Sequence, residues 1–380
     1  MNRLLAVMKR ECLYMWRDRV LRSILLIGPL LGLLLFAYLY RLQVIQDIPT
    51  AIVDLDRSRQ SRELIDRFEA AENLKITSFP AAPEDLEDLI EAGHVVVGIV
   101  IPENYGDNVV LKRQTRILAV IDGSNITYAT PASSAIMEVT GAISAETGIK
   151  TLAGMGMSLA EARDVYQSIE FKQQAWYNPT LNYAYFLVLA LALNIWQQCC
   201  CMAAAVNIIG ETGLDSWSQI RASGISKLTF FGAKSILQVI MFMILVLPVY
   251  FLAFIVFKMP LHCNFGLLLF FTFLFAVAIH SVGTMMSGIT GNAVDSTRLS
   301  MMVALPSFIL CGYTWPLEAM PVIIRKAAWI LPQTWFFQGY NFMVFKGAGV
   351  ATMLQYFLAL LLIAAICYGI SIMATAWLER

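Results

Sequence analysis

The sequence predicts a polytopic α-helical membrane protein with an α/β domain set between its first and second spans. Three observations carry this. Hydrophobic residues make up 58% of the 380-residue chain and charged residues only 14%, a composition of integral membrane proteins. Long apolar runs recur, separated by polar breaks. One internal stretch, 41–182, instead alternates short strand-like and helix-like runs and holds 20 acidic against 12 basic residues. The zero net charge therefore hides an acidic soluble part within a basic membrane body. Nucleic-acid binding would call for a basic stripe on the soluble part, so that class is excluded.

Residues 1–22 are basic and amphipathic. Leu4, Met8, Cys12, Met15 and Trp16 share one helical face, with Arg3, Arg10 and Arg17 elsewhere, the pattern of a helix lying in the membrane interface. Residues 23–40 then supply enough apolar length for a span. A signal peptide would start the same way, but FAYLYRLQ at its end lacks a small-x-small cleavage site. The stretch is read as an uncleaved first span. Arg3, Lys9, Arg10, Arg17, Arg19 and Arg22 then place the N-terminus in the cytoplasm and residues 41–182 outside.

Within 41–182, residues 51–55, 74–78, 95–101 and 116–121 read as strands. Residues 58–70, 83–91 and 103–111 read as helices, and the chain reads as helical again from about 126 to Phe171. This makes an α/β domain large enough for its own core. Asp54 and Asp56 bring to mind a cation loop, but DLDRSR lacks the later ligands of one. Turn or helix-cap duty is the expectation.

Five more spans are expected at 183–207, 228–257, 265–289, 299–313 and 353–376. With the first they number six, which returns the C-terminus to the cytoplasm. Between the second and third spans lies the polar break IIGETGLDSWSQIRASGISK, which must leave the hydrocarbon. Thr212 and Asp215 have capping-box spacing. Leu214, Trp217 and Ile220 form a narrow apolar stripe, with Asp215 near the expected positive end of a helix and Arg221 near the negative end. One short helix is expected, either resting on the lipid surface or docking a partner that delivers force. Residues 315–345 are too broken for a span. Trp315, Pro316, Glu318, Pro321 and Pro332 fall in short re-entrant or interfacial helices, with Glu318 a candidate for closing the outer face.

Chemistry is conspicuous by what is missing. The sequence holds no G-x-x-x-x-G-K-[ST] phosphate loop; the nearest approach, Gly148-Ile149-Lys150-Thr151, lacks the required glycine. It also holds no H-E-x-x-H, G-x-S-x-G or C-x-x-C. Cys199, Cys200 and Cys201 are adjacent and point in different directions on a helix, which fits packing rather than a shared metal. His280 lies inside the fourth span. It reads either as a substrate or gating group or as a neutral histidine bonded to a neighbouring helix. Asn194, Gln197, Gln198 and Gln238 either bond between helices or line a pathway. Buried carboxylates and internal repeats, the marks of many ion-coupled transporters, are not evident. The energy source is then a partner acting through a cytoplasmic segment such as 211–224.

VDLDRSRQSRELIDRF at 53–68, GIVIPENYGDNV followed by VIDGSN, AWYNPTLNYAYFLV at 175–188 and WPLEAMPVIIRKAAWILPQTWF at 315–336 together resemble the permease subunits of ATP-binding-cassette exporters of the second class. The large outer domain resembles that of their drug-efflux-like branch. The family often carries Glu-x-x-x-Gly-Thr after its second span; here Glu211 is followed directly by Thr212-Gly213.

The resemblance implies a permease in a bacterial inner membrane, paired with a second permease copy or a related one. A separate cytoplasmic ATP-binding subunit would carry ATP and Mg, with no cofactor on this chain. Glu211, Thr212, Asp215, Trp217 and Arg221 would couple to that subunit, helped by the N-terminal helix. Trp315, Pro316, Glu318, Pro321 and Pro332 would form the outer gate, and Asn194 and His280 are candidate pathway residues. A periplasmic adaptor is a further implied partner. The implied cargo is hydrophobic or amphipathic, drug-like or lipid-like. The competing reading is a membrane-anchored receptor or assembly scaffold acting through residues 41–182.

Overall fold

The computed structural model describes residues 2–40, 45–166, 176–179, 182–213 and 216–375. The chain divides into two compact units, Leu42–Gln174 and the remainder.

The first unit in chain order opens with α1 (Asn2–Arg17) and α2 (Arg19–Leu39). The inserted unit follows as β1 (Ile48–Asp54), α3 (Arg59–Glu69), β2 (Leu74–Ser78), α4 (Pro83–Glu91), β3 (Val97–Ile101), α5 (Tyr105–Val110), β4 (Leu118–Ile121), α6 (Ile126–Gly154) and α7 (Leu159–Tyr166). Its sheet runs in the order β2-β1-β3-β4, with β1 parallel to both neighbours and β4 antiparallel to β3. Side chains alternate across a strand, and both faces of β1 and β3 are used. Ile48, Ile52, Val97, Ile99 and Ile101 pack with Leu64 and Phe68 of α3, Tyr105 of α5 and Ala132, Ala135 and Ile136 of α6. Ala51, Val53 and Val100 pack on the other face with Leu86 of α4. Two covered faces explain the nearly continuous apolar reading of these strands.

Asp54 and Asp56 are structural. Asp54 accepts from the amides of Asp56 and Arg57 (3.1 and 2.9 Å) and from the Ser61 hydroxyl (2.8 Å), and Asp56 accepts from the Gly106 amide (2.9 Å). The strand ends differ from expectation. β1 begins at Ile48, three residues early, because Ile48 pairs with Leu74. β3 and β4 each begin two residues late. The long helix after β4 ends at Gly154, where Gly156 takes a left-handed φ of 98°. Part of the expected continuation to Phe171 is the separate α7, and Phe171 itself lies outside the described residues.

The remaining helices are α8 (Tyr183–Ala205), α9 (Ile209–Gly213), α10 (Trp217–Ala222), α11 (Lys227–Phe251, continuing as a π turn through Val256), α12 (Phe265–Ile289), α13 (Ala293–Leu310), a 3-10 turn (Leu317–Ala319), α14 (Val322–Ala328), α15 (Pro332–Val344) and α16 (Val350–Thr375). Among the described residues, six stretches are long and apolar enough to cross a membrane: Arg22–Leu39, Tyr183–Ala205, Thr229–Val256, Phe265–Ile289, Ala293–Leu310 and Val350–Ala374. α8 and α12 form the centre. Small residues let them approach: a Cβ on Gly283 would overlap Ala204 and the Cys201 carbonyl, the close packing that membrane helices use in place of a hydrophobic drive. Cys200 and Cys201 are fully enclosed there. Exposed leucines and isoleucines line the outer sides of α2, α13 and α16, as hydrocarbon requires.

Two expectations are corrected. The fifth span starts at Ala293, six residues before the expected 299; Asn292 caps it by accepting from the Asp295 amide at 2.8 Å. Among its described residues the polar break holds two short helices rather than one. Thr212 lies within α9, and α10 starts after Ser216, whose carbonyl accepts from the Ile220 amide.

The broken segment after α13 is helical in short pieces that its prolines begin. Pro316 and Pro321 precede the 3-10 turn and α14, and Pro332 opens α15, where a missing N–H costs nothing. α15 buries Phe336 and Phe337 against Phe271, Phe275 and Phe308, with Phe275 and Phe336 stacked at 3.9 Å.

Candidate functional site: a buried ion cluster at the polar break

Four ionisable side chains from three segments meet at the polar end of the bundle. α1 is placed by its apolar face. Val7 is buried against Phe230 and Ala233 of α11, with Leu4, Met8 and Ile220 around them. That docking aims Arg10 and Glu11 at α9 and α11. Arg10 grips Glu211 with two parallel bonds, Nη1 to Oε1 at 3.1 Å and Nη2 to Oε2 at 2.8 Å, the bidentate geometry that makes arginine–carboxylate pairs strong. Lys234 reaches Glu211 Oε1 at 2.6 Å and Glu11 Oε2 at 3.2 Å. The Ser216 hydroxyl also donates to Glu211. Glu11, Glu211 and Lys234 are nearly inaccessible, while the Arg10 side chain remains 43% exposed.

Two cations and two carboxylates balance, which is the condition for holding charge out of water. Burial works to raise the Glu211 carboxyl. The Arg10 bonds, the charge and bond of Lys234 and the Ser216 hydroxyl outweigh it and pull the group down to about 2. The hydrogen bond to Glu211 likewise raises Arg10. Because this carboxylate is depressed in the folded state, its stabilisation is full above the unfolded value near 4.5 and is lost as pH falls through about 2. Melting temperature measured between pH 5 and 2 should therefore fall less steeply for Glu211→Gln than for the parent chain.

A chain of neutral bonds leads from this cluster into the bundle. Gln238, one turn along α11 from Lys234, donates to Glu11 Oε1 at 3.0 Å and accepts from His280 Nε2 at 3.0 Å. His280 Nδ1 in turn lies 2.8 Å from the Tyr368 hydroxyl of α16. Nearby, Asn207 donates to Thr284 at 3.2 Å, and the amides of Ile208 and Ile209 donate to the Ser287 hydroxyl at 2.9 Å. The start of α9 is thus fastened to α12.

Of the residues expected from sequence, Glu211 sits at the centre of the cluster and His280 at its inner end. Asp215 lies outside the described residues, as do the side chains of Thr212, Trp217 and Arg221. Asn194 belongs to a different polar group: it accepts from Gln197 at 3.0 Å, and Gln333 of α15 donates to Gln197 at 3.0 Å. Trp315, Pro316, Glu318 and Pro321 are exposed and Pro332 is buried. Sequence reading passed over Glu11 and Lys234 and counted Arg10 only towards orientation. One signal was available: Lys234 and Gln238 stand four apart, on one face of an otherwise apolar span.

Comparison with known proteins adds the following. Residues 19–373 match the family model described as ABC-2 family transporter protein. The "Probable multidrug ABC transporter permease YbhR" of Escherichia coli K12 is 21% identical over 331 residues, covering 87% of this chain and 86% of that one. The "Inner membrane transport permease YhhJ" of the same organism is 22% identical over 328 residues, covering 86% and 84%. The "Probable multidrug ABC transporter permease YbhS" is 21% identical over 169 residues, 44% of this chain and 45% of that one.

Proposed function

The chain belongs to the ABC-2 family of transporter proteins, and from that premise we propose that it exports a hydrophobic or amphipathic molecule, drug-like or lipid-like, using motion received at the ion cluster. It is a multi-pass permease subunit without an ATPase domain, and permeases of this kind pair with a separate ATP-binding subunit. The proposal adds sidedness, cargo and the coupling route. α1, α9 and α10 face the cytoplasm in a bacterial inner membrane, with both termini on that side. Residues 41–182 form an extracytoplasmic domain, to which a periplasmic adaptor would attach. The segment 315–345 closes the outer face. A second copy or related permease completes the pathway.

The observation that carries this reading is the Arg10–Glu211–Lys234–Glu11 cluster. A loop helix merely resting on lipid needs no buried ion pair to a helix more than 200 residues away. Here the Arg10–Glu211 pair makes α1 and α9 one body. Lys234 ties that body to α11, and Gln238, His280 and Tyr368 continue to α12 and α16. ATP binding and release on the partner subunit would move α1 and α9 together. The rigid bonds would then pass that displacement to the spans, in the manner of packed elements with two discrete arrangements. Glu211 is the keystone residue, and Thr212, Asp215, Trp217 and Arg221 of the same polar break are the residues proposed to couple to the ATPase.

The test is uptake of a lipophilic fluorescent dye, and separately of a fluorescent phospholipid, into inverted vesicles holding this chain and its ATP-binding subunit. ATP-dependent accumulation of either supports the proposal. Uptake driven by an ion gradient without ATP, or none of either probe despite ATP hydrolysis, contradicts it.

A further inference from the structure

Beside the polar chain, α11, α12 and α16 part to leave a cavity of about 700 Å³. Its walls include Phe231, Gly232, Ser235, Val239, Val277 and Tyr368. We propose that this cavity binds one acyl chain of a membrane lipid, entering from the leaflet on the polar-break side. The proposal rests on the permease reading only in taking the spans to be surrounded by bilayer.

Four features support this occupant. First, the rim is continuous with the surface that hydrocarbon covers. Ile236 and Ile240 of α11, Phe273 of α12 and Ile372 of α16 line the cavity and are 41–57% exposed. Second, the cavity runs from Ser226, the N-cap of α11, to Ile240. That is about 21 Å at 1.5 Å per helical residue, longer than the roughly 15 Å of one leaflet's share of the hydrocarbon core. Third, the walls are apolar apart from hydroxyls, and the Tyr368 hydroxyl already bonds His280. Among the described residues no carboxylate or ammonium lines the space, so they supply no convergent charged groups to orient a drug-sized polar ligand, and the lining suits an alkyl chain. Fourth, a Cβ placed on Gly232 would meet nothing within 4 Å. Leaving that wall bare keeps space that any larger residue would fill, at some loss of helix propensity.

The experiment uses the chain with its ATP-binding subunit in nanodiscs containing a phospholipid with a diazirine on its palmitoyl chain. After photolysis, adducts are mapped by peptide mass spectrometry. Labelling around positions 231–239 and 368–372 should exceed that around 31–35 of α2 at least fivefold. Gly232→Phe should lower cavity labelling at least fivefold and leave α2 labelling unchanged. Ile236→Trp, at the exposed rim, should reduce it in the same direction and covers the case in which Gly232→Phe does not assemble. Cavity labelling no higher than that of α2, or unaffected by both variants, overturns the proposal. Labelling by free photoreactive palmitate alone, with none from the phospholipid, overturns the lipid as source. Labelling needs no ATP turnover, so its outcome is independent of whether the coupling route is correct.

Discussion

Lys234→Met is expected to destabilise the folded chain by about 3–5 kcal/mol, the cost of leaving one side of a buried ion pair uncompensated. The methionine fills a similar volume, so the loss is one of charge. Glu11 and Glu211 both contact the Lys234 ammonium, and without it the two enclosed carboxylates are left with one guanidinium, that of Arg10, which pairs with Glu211. Thermal unfolding in mild detergent should show a large fall in melting temperature. The double variant Glu11→Gln/Lys234→Met removes the orphaned acid along with the base and should recover more than half of that fall. A single variant that melts with the parent chain would mean that the cluster contributes nothing to the fold.

Arg10→Gln should separate coupling from folding. Glutamine matches arginine in helix propensity, and the Arg10 side chain is 43% exposed, so α1 should still form and dock through Val7. What is lost is the two-pronged link to Glu211. Dye transported per ATP hydrolysed, in the vesicles described above, is expected to fall at least tenfold, and the melting temperature should fall less than for Lys234→Met, because Lys234 still contacts both carboxylates. An unchanged ratio would remove α1 from the coupling route.

Much of the fold was legible because hydropathy and alternation report burial directly. β2, α4 and the fourth span were read to the residue, bounded by Pro83 and by the Asn264 cap. The start of α13 was missed because its first turn is polar, and an average over apolar residues discards it; the Asn292–Asp295 cap was the better signal. The site was legible only in part. Glu211, Gln238 and His280 stood out as polar groups in or beside spans, but their partners come from far along the chain. Arg10 lies 201 residues from Glu211, and Glu11 lies 227 from Gln238. Lys234 was hidden by the apolar residues around it, and Glu11 by attention to the apolar face of α1. Charge balance is a property of the assembled cluster, which spacing along one helix does not reveal.

Whether the polar break is where the ATP-binding subunit docks can be asked directly with a photoreactive amino acid at Gln219, an exposed position on α10. A second probe at Glu84, exposed on α4 of the inserted unit, serves as comparison. The account predicts an adduct with the ATP-binding subunit from position 219 and none from position 84. An adduct from 84 with none from 219 would contradict both the docking site and the sidedness on which the proposed export rests.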